Sequence, residues 1–174
     1  MPVPGDVPPE TRGAVFFDRD GVLNEDHGYV HRIEDLRWIP GAREAVRTVN
    51  LSGRFVFVVT NQAGIAKGLY DEAAVHAFHA EMQHQLLAIG ARVDAFVHCP
   101  HHPQGLIDPY IRACSCRKPE PGMILGLLQS WPVLPAASVL IGDRDSDIAA
   151  ARAAGIAARL YRGGDLRDYV HPPA

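Results

Sequence analysis

The sequence predicts an α/β fold, a three-layer doubly wound parallel sheet, because short apolar strands alternate with amphipathic helices and polar, chemistry-bearing residues sit just past the strand ends. Two local features sharpen this. The run Gly13-Ala14-Val15-Phe16-Phe17 leads straight into Asp18-Arg19-Asp20-Gly21, so a buried strand ends in two carboxylates one residue apart. All three cysteines fall between Cys99 and Cys116, beside histidine and proline.

The elements follow in order. Residues 1–12 are proline-rich and lack the basic start and apolar core of a signal peptide, so they read as a flexible leader to a single domain over 13–174. Ala14–Phe17 is the first strand. A helix over Ala42–Leu51 follows Pro40-Gly41 and stops before Gly53, and a strand follows at Phe55–Val59. Asp71 is a suitable N-cap for a helix over Glu72–Ile89, with a stripe of Ala74, Phe78, Met82 and Leu86 and a stop at Gly90. Its histidines, His76, His79 and His84, read as solvated, because no acid or cysteine accompanies them at metal-site spacing. Strands at Val93–Val97, Val139–Ile141 and Ala157–Tyr161 and helices at Gly122–Gln129 and Asp147–Ala154 complete the alternation, with at most a short closing element over Asp165–Val170.

With 174 residues the chain can bury a real core, so neither a disulfide framework nor an oligomer is needed for folding, and a monomer is expected. A formal net charge of -3 supplies no broad basic field for nucleic acid, and no apolar run approaches the roughly 20 residues of a membrane span. These bounds point to a cytoplasmic protein with a small-molecule substrate.

Two like charges as close as Asp18 and Asp20 repel unless a cation neutralises them, and a divalent metal is the natural resolution. D-x-D-G alone is equally an acidic turn. In a parallel sheet, however, Asp18 and Asp20 would converge with Thr60-Asn61-Gln62 and Gly142-Asp143-Arg144-Asp145-Ser146-Asp147, while Lys118 arrives from a loop. A nucleophile, an acid, a hydroxyl donor, a fixed cation and metal-binding acids are the equipment for phosphoryl transfer through an aspartyl-phosphate. Cys99-Pro100-His101-His102, with Cys114-Ser115-Cys116-Arg117-Lys118, offers three thiolates and one imidazole, a closed tetrahedral set suited to structural Zn²⁺. Cys99, His101, Cys114 and Cys116 are the favoured ligands, since one residue then separates the ligands in each arm; His102 is the competing imidazole. Because Arg117 and Lys118 follow the last ligand, zinc would support chemistry by positioning them.

The motifs Asp18-Arg19-Asp20-Gly21-Val22, Thr60, Lys118 and Gly142-Asp143 with Asp147 resemble, over Ala14 to Arg162, the four motifs of the haloacid dehalogenase (HAD) superfamily, which implies a HAD-like Rossmannoid fold. The resemblance implies that Asp18 attacks phosphorus, that Asp20 serves as acid and then base, and that Thr60 and Lys118 stabilise the phosphoryl oxygens. It also implies Mg²⁺ on the Asp18 carboxylate, the Asp20 backbone carbonyl and Asp143, with Asp147 orienting that shell. Arg144 would contact substrate phosphate or pair with Asp147. The zinc loop, with Asp26-His27-Gly28-Tyr29-Val30 and Thr60-Asn61-Gln62-Ala63-Gly64, is similar to the zinc-containing branch of D-glycero-D-manno-heptose-1,7-bisphosphate 7-phosphatases and histidinol-phosphate phosphatases. The long span between the zinc arms favours the heptose members, acting on a sugar bisphosphate in nucleotide-activated heptose biosynthesis. The same resemblance makes Asp26, His27, Gly28, Tyr29, Asn61, Gln62, Ala63 and Arg117 candidates for substrate recognition. The intervals between motifs leave no room for a large cap domain, so the walls would be a small mobile flap, Asn24–Trp38, and the zinc loop. A non-enzymatic receiver-like phospho-acceptor is the alternative of another class.

Overall fold

The computed structural model describes residues 10–173. Five strands, β1 (Ala14–Phe17), β2 (Phe55–Asn61), β3 (Ala95–Cys99), β4 (Val139–Gly142) and β5 (Ala157–Leu160), form one sheet in the order β3-β2-β1-β4-β5. Every pairing is parallel. The crossovers carry α1 (Ala42–Leu51), α2 (Glu72–Leu87), α3 (Gly122–Ser130) and α4 (Asp145–Ala153). Strand order reverses beside the central β1, so the site belongs past its carboxyl end.

Side chains alternate along each strand and so feed two cores. Val15, Phe17, Val56, Val58 and Ile141 pack with α1 and α2 on one face, while Ala14, Phe16, Phe57, Val59 and Leu140 pack with α3 and α4 on the other. In α1, Ala42, Ala45, Val46 and Val49 form the buried stripe, and Gly41 starts the helix at φ 75°. Asp71 caps α2, its carboxylate accepting from the Ala74 amide at 2.9 Å. The C-terminal segment closes the first core: a short 3-10 helix over Leu166–Tyr169 packs Leu166 against α1, and Val170 is buried beside it. Of the expected leader only residues 10–12 are described, and Arg12 bridges to Val133; the rest lies outside the described residues. No helix among the described residues is long and apolar enough to cross a membrane.

Several boundaries move for local reasons. The strand expected at Val93–Val97 begins at Ala95, because the Gln83 side chain takes both backbone groups of Val93 and Asp94 caps β2 through the Val56 amide. It then runs on to Cys99, paired with Asn61. The buried face of α2 is Val75, Phe78, His79, Met82 and Leu86, so Val75 replaces the expected Ala74. His76 and His84 are exposed as expected, whereas His79 is not.

His79 is buried because it completes a polar relay into the core. Its Nε2 lies 3.3 Å from Nη1 of Arg19, a fully buried guanidinium that also lies over the Phe78 ring. Arg19 Nη2 donates to the Val30 carbonyl at 2.6 Å, tying the flap to the core. Burial first, and the Arg19 charge next, push the His79 pKa down to about 2. The ring therefore stays neutral in the fold but titrates normally, near 6.5, when unfolded. As pH falls below that value the unfolded state binds the extra proton, so stability is lost by about 1.4 kcal/mol per pH unit from this ring alone. Urea unfolding at pH 7, 6 and 5 should show this slope, and His79→Gln, which retains an acceptor for Arg19, should flatten it. A slope equally steep in the variant would refute the assignment.

Candidate active site

The centre of the site is a buried ammonium. Lys118 Nζ lies 2.9 Å from Asp18 Oδ1 and 2.6 Å from Asp147 Oδ1, and donates to the Val59 carbonyl at 2.8 Å. Two carboxylates and one carbonyl thereby surround the ammonium below the strand ends, with Lys118 only 3 % exposed. Its backbone is pinned as well: Asn61 Nδ2 donates to the Lys118 carbonyl and Asn61 Oδ1 accepts from the Lys118 amide, both at 3.0 Å. Burial pushes the Asp18 carboxyl above the usual carboxylate range, and the neighbouring Lys118 charge opposes that shift.

Asp20 is held differently. Its Oδ1 accepts from Arg19 Nε and Asn24 Nδ2, and its Oδ2 from Arg19 Nη2 and Gln62 Nε2, at 2.9–3.0 Å. Gln62 Nε2 also reaches Thr60 Oγ1 at 2.9 Å, and Tyr70 donates to Gln62 Oε1 at 2.6 Å. The two carboxylates of the motif thus occupy separate environments, one on a buried cation and one in a lattice of donors. Thr60 ends up beside Asp20 because β2 carries it past the register of β1.

A third acid completes the cluster. Asp143 leaves β4 beneath Gly21, where a Cβ on Gly21 would come within 2.2 Å of Asp143 Oδ2; Gly21 itself adopts φ 83°. Carboxylate oxygens of Asp18, Asp143 and Asp147 lie within 4.8 Å of one another. Asp143 Oδ1 is buried with no hydrogen-bond partner. An orphaned carboxylate oxygen facing other acids fits a hard divalent cation, and Asp18 and Asp143 could hold it by oxygen. Asp147 is committed to Lys118 and to the Arg144 amide, which it meets at 3.1 Å.

The cavity above has a volume of about 560 Å³. Asp18, Asp20, Thr60 and Lys118 form its floor, and Asp26, Gly28, Tyr29, Asn61, Gln62, Ala63, Arg117 and Arg144 line it. His27 does not reach it; the ring lies 3.4 Å from the Asp35 carbonyl, on the outer side of the flap. Arg144 pairs neither with Asp147 through its guanidinium nor with α4, but with Asp26 of the flap at 3.0 Å. Lys67 donates to the Tyr29 hydroxyl from the opposite rim. Lys67 and Tyr70, which the sequence reading does not include, also line the cavity, as do Ser146 and His102, the competing imidazole of the zinc loop; Arg19, the spacer of its motif, fixes Asp20. Lys67 and Tyr70 carried a readable signal, two polar groups on the loop just past Gln62.

The four expected ligand residues of the loop do meet. Cys99, His101, Cys114 and Cys116 bring their Sγ and Nδ1 atoms within 4.8 Å of one another, with His101 Nδ1 3.3 Å from Cys116 Sγ and Cys99 Sγ 3.5 Å from Cys114 Sγ. Three sulfurs and one imidazole at such spacing form a closed set able to hold a metal, with arms of about 2.0–2.3 Å. His102 turns instead to the cavity. The cluster lies two residues from Lys118, and Arg117 Nη1 reaches back to the His101 carbonyl at 3.4 Å.

Comparison with known proteins agrees with this geometry. Residues 115–172 match a family model described as HAD-hydrolase-like. The chain is 47% identical to D-glycero-beta-D-manno-heptose-1,7-bisphosphate 7-phosphatase of Rhodopseudomonas palustris, over 91% of this chain and 88% of that protein. It is 40% identical to the enzyme of the same name from Escherichia coli K12, over 84% of this chain and 77% of that protein. The crystal structure of D,D-heptose 1,7-bisphosphate phosphatase from B. bronchiseptica, complexed with magnesium and phosphate, superposes with TM-score 0.78 at 35% identity, covering 90% of this chain and 84% of that one. The strand-end acids around Lys118, the Cys/His loop that delivers it and these likenesses agree: the chain belongs to the heptose-1,7-bisphosphate 7-phosphatase family of HAD-superfamily phosphomonoester hydrolases.

Proposed function

We propose that this chain removes the C7 phosphate of D-glycero-D-manno-heptose 1,7-bisphosphate through an aspartyl-phosphate on Asp18, as a cytoplasmic, Mg²⁺-dependent step in nucleotide-activated heptose biosynthesis, with residues 13–174 as one catalytic unit. The observation that carries this reading is the unequal holding of the two motif carboxylates. Asp18 Oδ1 is taken by Lys118 Nζ and by the Arg19 amide at 2.8 Å, leaving Oδ2 to face phosphorus. Attack forms the Asp18 O–P bond as the P–O bond to C7 breaks. Asp20, held as an acceptor by four donors, has to take up a proton as substrate binds before it can pass that proton to the departing alkoxide. It then takes a proton from water, which displaces phosphate and restores Asp18. Lys118 and Thr60 meet the charge on the phosphoryl oxygens as it transfers. Mg²⁺, held by the Asp18 and Asp143 carboxylates and the Asp20 carbonyl, would supply further neutralisation of that charge.

Lys67, Arg117 and Arg144 place positive charge around the mouth of the cavity, and no large cap among the described residues covers it, which suits a doubly phosphorylated sugar. Asp26, Gly28, Tyr29 and Ala63 supply hydroxyl, carboxylate and backbone groups for sugar hydroxyls. His27 would contribute only through the flap. Zn²⁺ on Cys99, His101, Cys114 and Cys116 would be structural: it would fix the loop that presents Arg117 and Lys118.

Three outcomes test this reading. Side-by-side turnover of the heptose bisphosphate and histidinol phosphate should favour the sugar, and Asp18→Asn should lower kcat by about 10⁴-fold or more; one stable phosphorylation without turnover would instead indicate a receiver. Asp18 works ionised, and burial raises its pKa, so kcat/KM should fall as pH drops through the raised value. Higher Mg²⁺ should move that acid limb to lower pH, because a cation favours the ionised carboxylate; pH profiles at two Mg²⁺ concentrations check the sign. Metal analysis should find one tightly held zinc per chain, and Cys114→Ala should lower both zinc content and activity, whereas full activity without zinc would sink the positioning role.

A further inference from the structure

A second cluster of ligating side chains lies on the opposite face of the same strand. Along β3, Ala95, Val97 and Cys99 face the core beneath α3, whereas Phe96 packs toward α2. Alternation therefore sends His98 to the α2 side, directly after which Cys99 turns to the Cys/His loop. Glu72 and His76 stand one turn apart at the start of α2, on one helix face. A carboxylate oxygen of Glu72 and a ring nitrogen from each of His76 and His98 lie within 4.8 Å of one another. His98 Nε2 is 4.0 Å from Glu72 Oε1, and the His76 and His98 rings meet edge to face with centroids 5.4 Å apart.

We propose that Glu72, His76 and His98 form an accessory site for a borderline divalent transition-metal ion such as Ni²⁺, Co²⁺ or Zn²⁺, separate from the Cys/His loop and from the acidic cluster around Asp18. Two imidazoles and one carboxylate suit such ions and discriminate against Mg²⁺, which prefers an all-oxygen shell. Bonds of about 2.0–2.2 Å draw the ligand atoms to roughly 3.4 Å apart. His76 is exposed and Glu72 half-exposed, so side-chain rotation closes that gap without moving the sheet. His79 adds no ligand, although its ring stands 6.2 Å from that of His98, because its Nε2 faces Arg19. Three protein ligands leave positions for water. The bound ion is a clamp: it joins the first turns of α2 to β3, the edge strand of the sheet, next to the residue that opens the Cys/His loop.

The test uses the full chain with its loop zinc in place and Mg²⁺ saturating, titrated with Ni²⁺ in equilibrium dialysis with metal analysis. The wild type should bind one Ni²⁺ per chain while keeping its zinc, and its melting temperature should rise. His76→Ala, an exposed helix position that cannot disturb the core, should lose both the Ni²⁺ and the thermal shift, as should His98→Asn; His84→Ala should retain them. Unchanged Ni²⁺ binding in His76→Ala, Ni²⁺ that enters only by displacing zinc, or no added Ni²⁺ in the wild type would each overturn the site.

Discussion

The buried Lys118 ammonium is the constraint around which the rest is arranged. A cation removed from water costs several kcal/mol unless its partners are present with good geometry. Those partners come from three places in the sequence: Asp18 past β1, the Val59 carbonyl in β2 and Asp147 in α4. Each must be delivered within hydrogen-bonding distance for any to be tolerated. Lys118 has no regular element of its own to stand on, so Asn61 grips its backbone, and the Cys/His cluster lies just before it in the chain. The same pairing engages Asp18 through Oδ1, which also accepts from the Arg19 amide.

The second motif carboxylate depends on a separate chain of contacts. Arg19 is the spacer between the two acids, yet it is fully buried and fixes Asp20, the flap and His79 at once. A guanidinium suits this role because its planar fork can meet a carboxylate with two parallel donors and still have donors to spare. The flap is therefore coupled to the core on one side, through Val30, and to charged partners on the rim, through Asp26 with Arg144 and Tyr29 with Lys67.

Much of this was readable from residue order, because the relevant signals are local. Alternating apolar runs and helix start and stop signals place the five strands and four helices, and D-x-D-G after a strand marks the candidate site. What escaped were contacts between distant segments. The burial of His79 is completed by Arg19, sixty residues earlier; the ring lies on the same helical stripe as Val75, Met82 and Leu86, which exposed His76 does not, but a histidine on that stripe has no readable partner in α2 itself. Asn61 and Gln62 read as rim groups for sugar hydroxyls; they line the cavity, but their hydrogen bonds hold Lys118, Asp20 and Thr60. The same helix histidines lacked an acidic companion only in the sense of a sequence motif: Glu72 is one turn away, and His98 arrives from β3.

The sequence by itself determined the α/β class, the parallel order implied by its alternation, the candidate strand-end acids and the Cys/His donor set, since each rests on residue type and short spacing. Only the tertiary structure decided which imidazole joins the cysteines, that the Arg144 guanidinium meets Asp26 while only its amide meets Asp147, and that His27 turns away from the cavity. Those choices depend on the direction in which a loop leaves its strand and on which distant group fills the space beside it. Direction and occupancy are set by packing, and packing is a property of the whole fold.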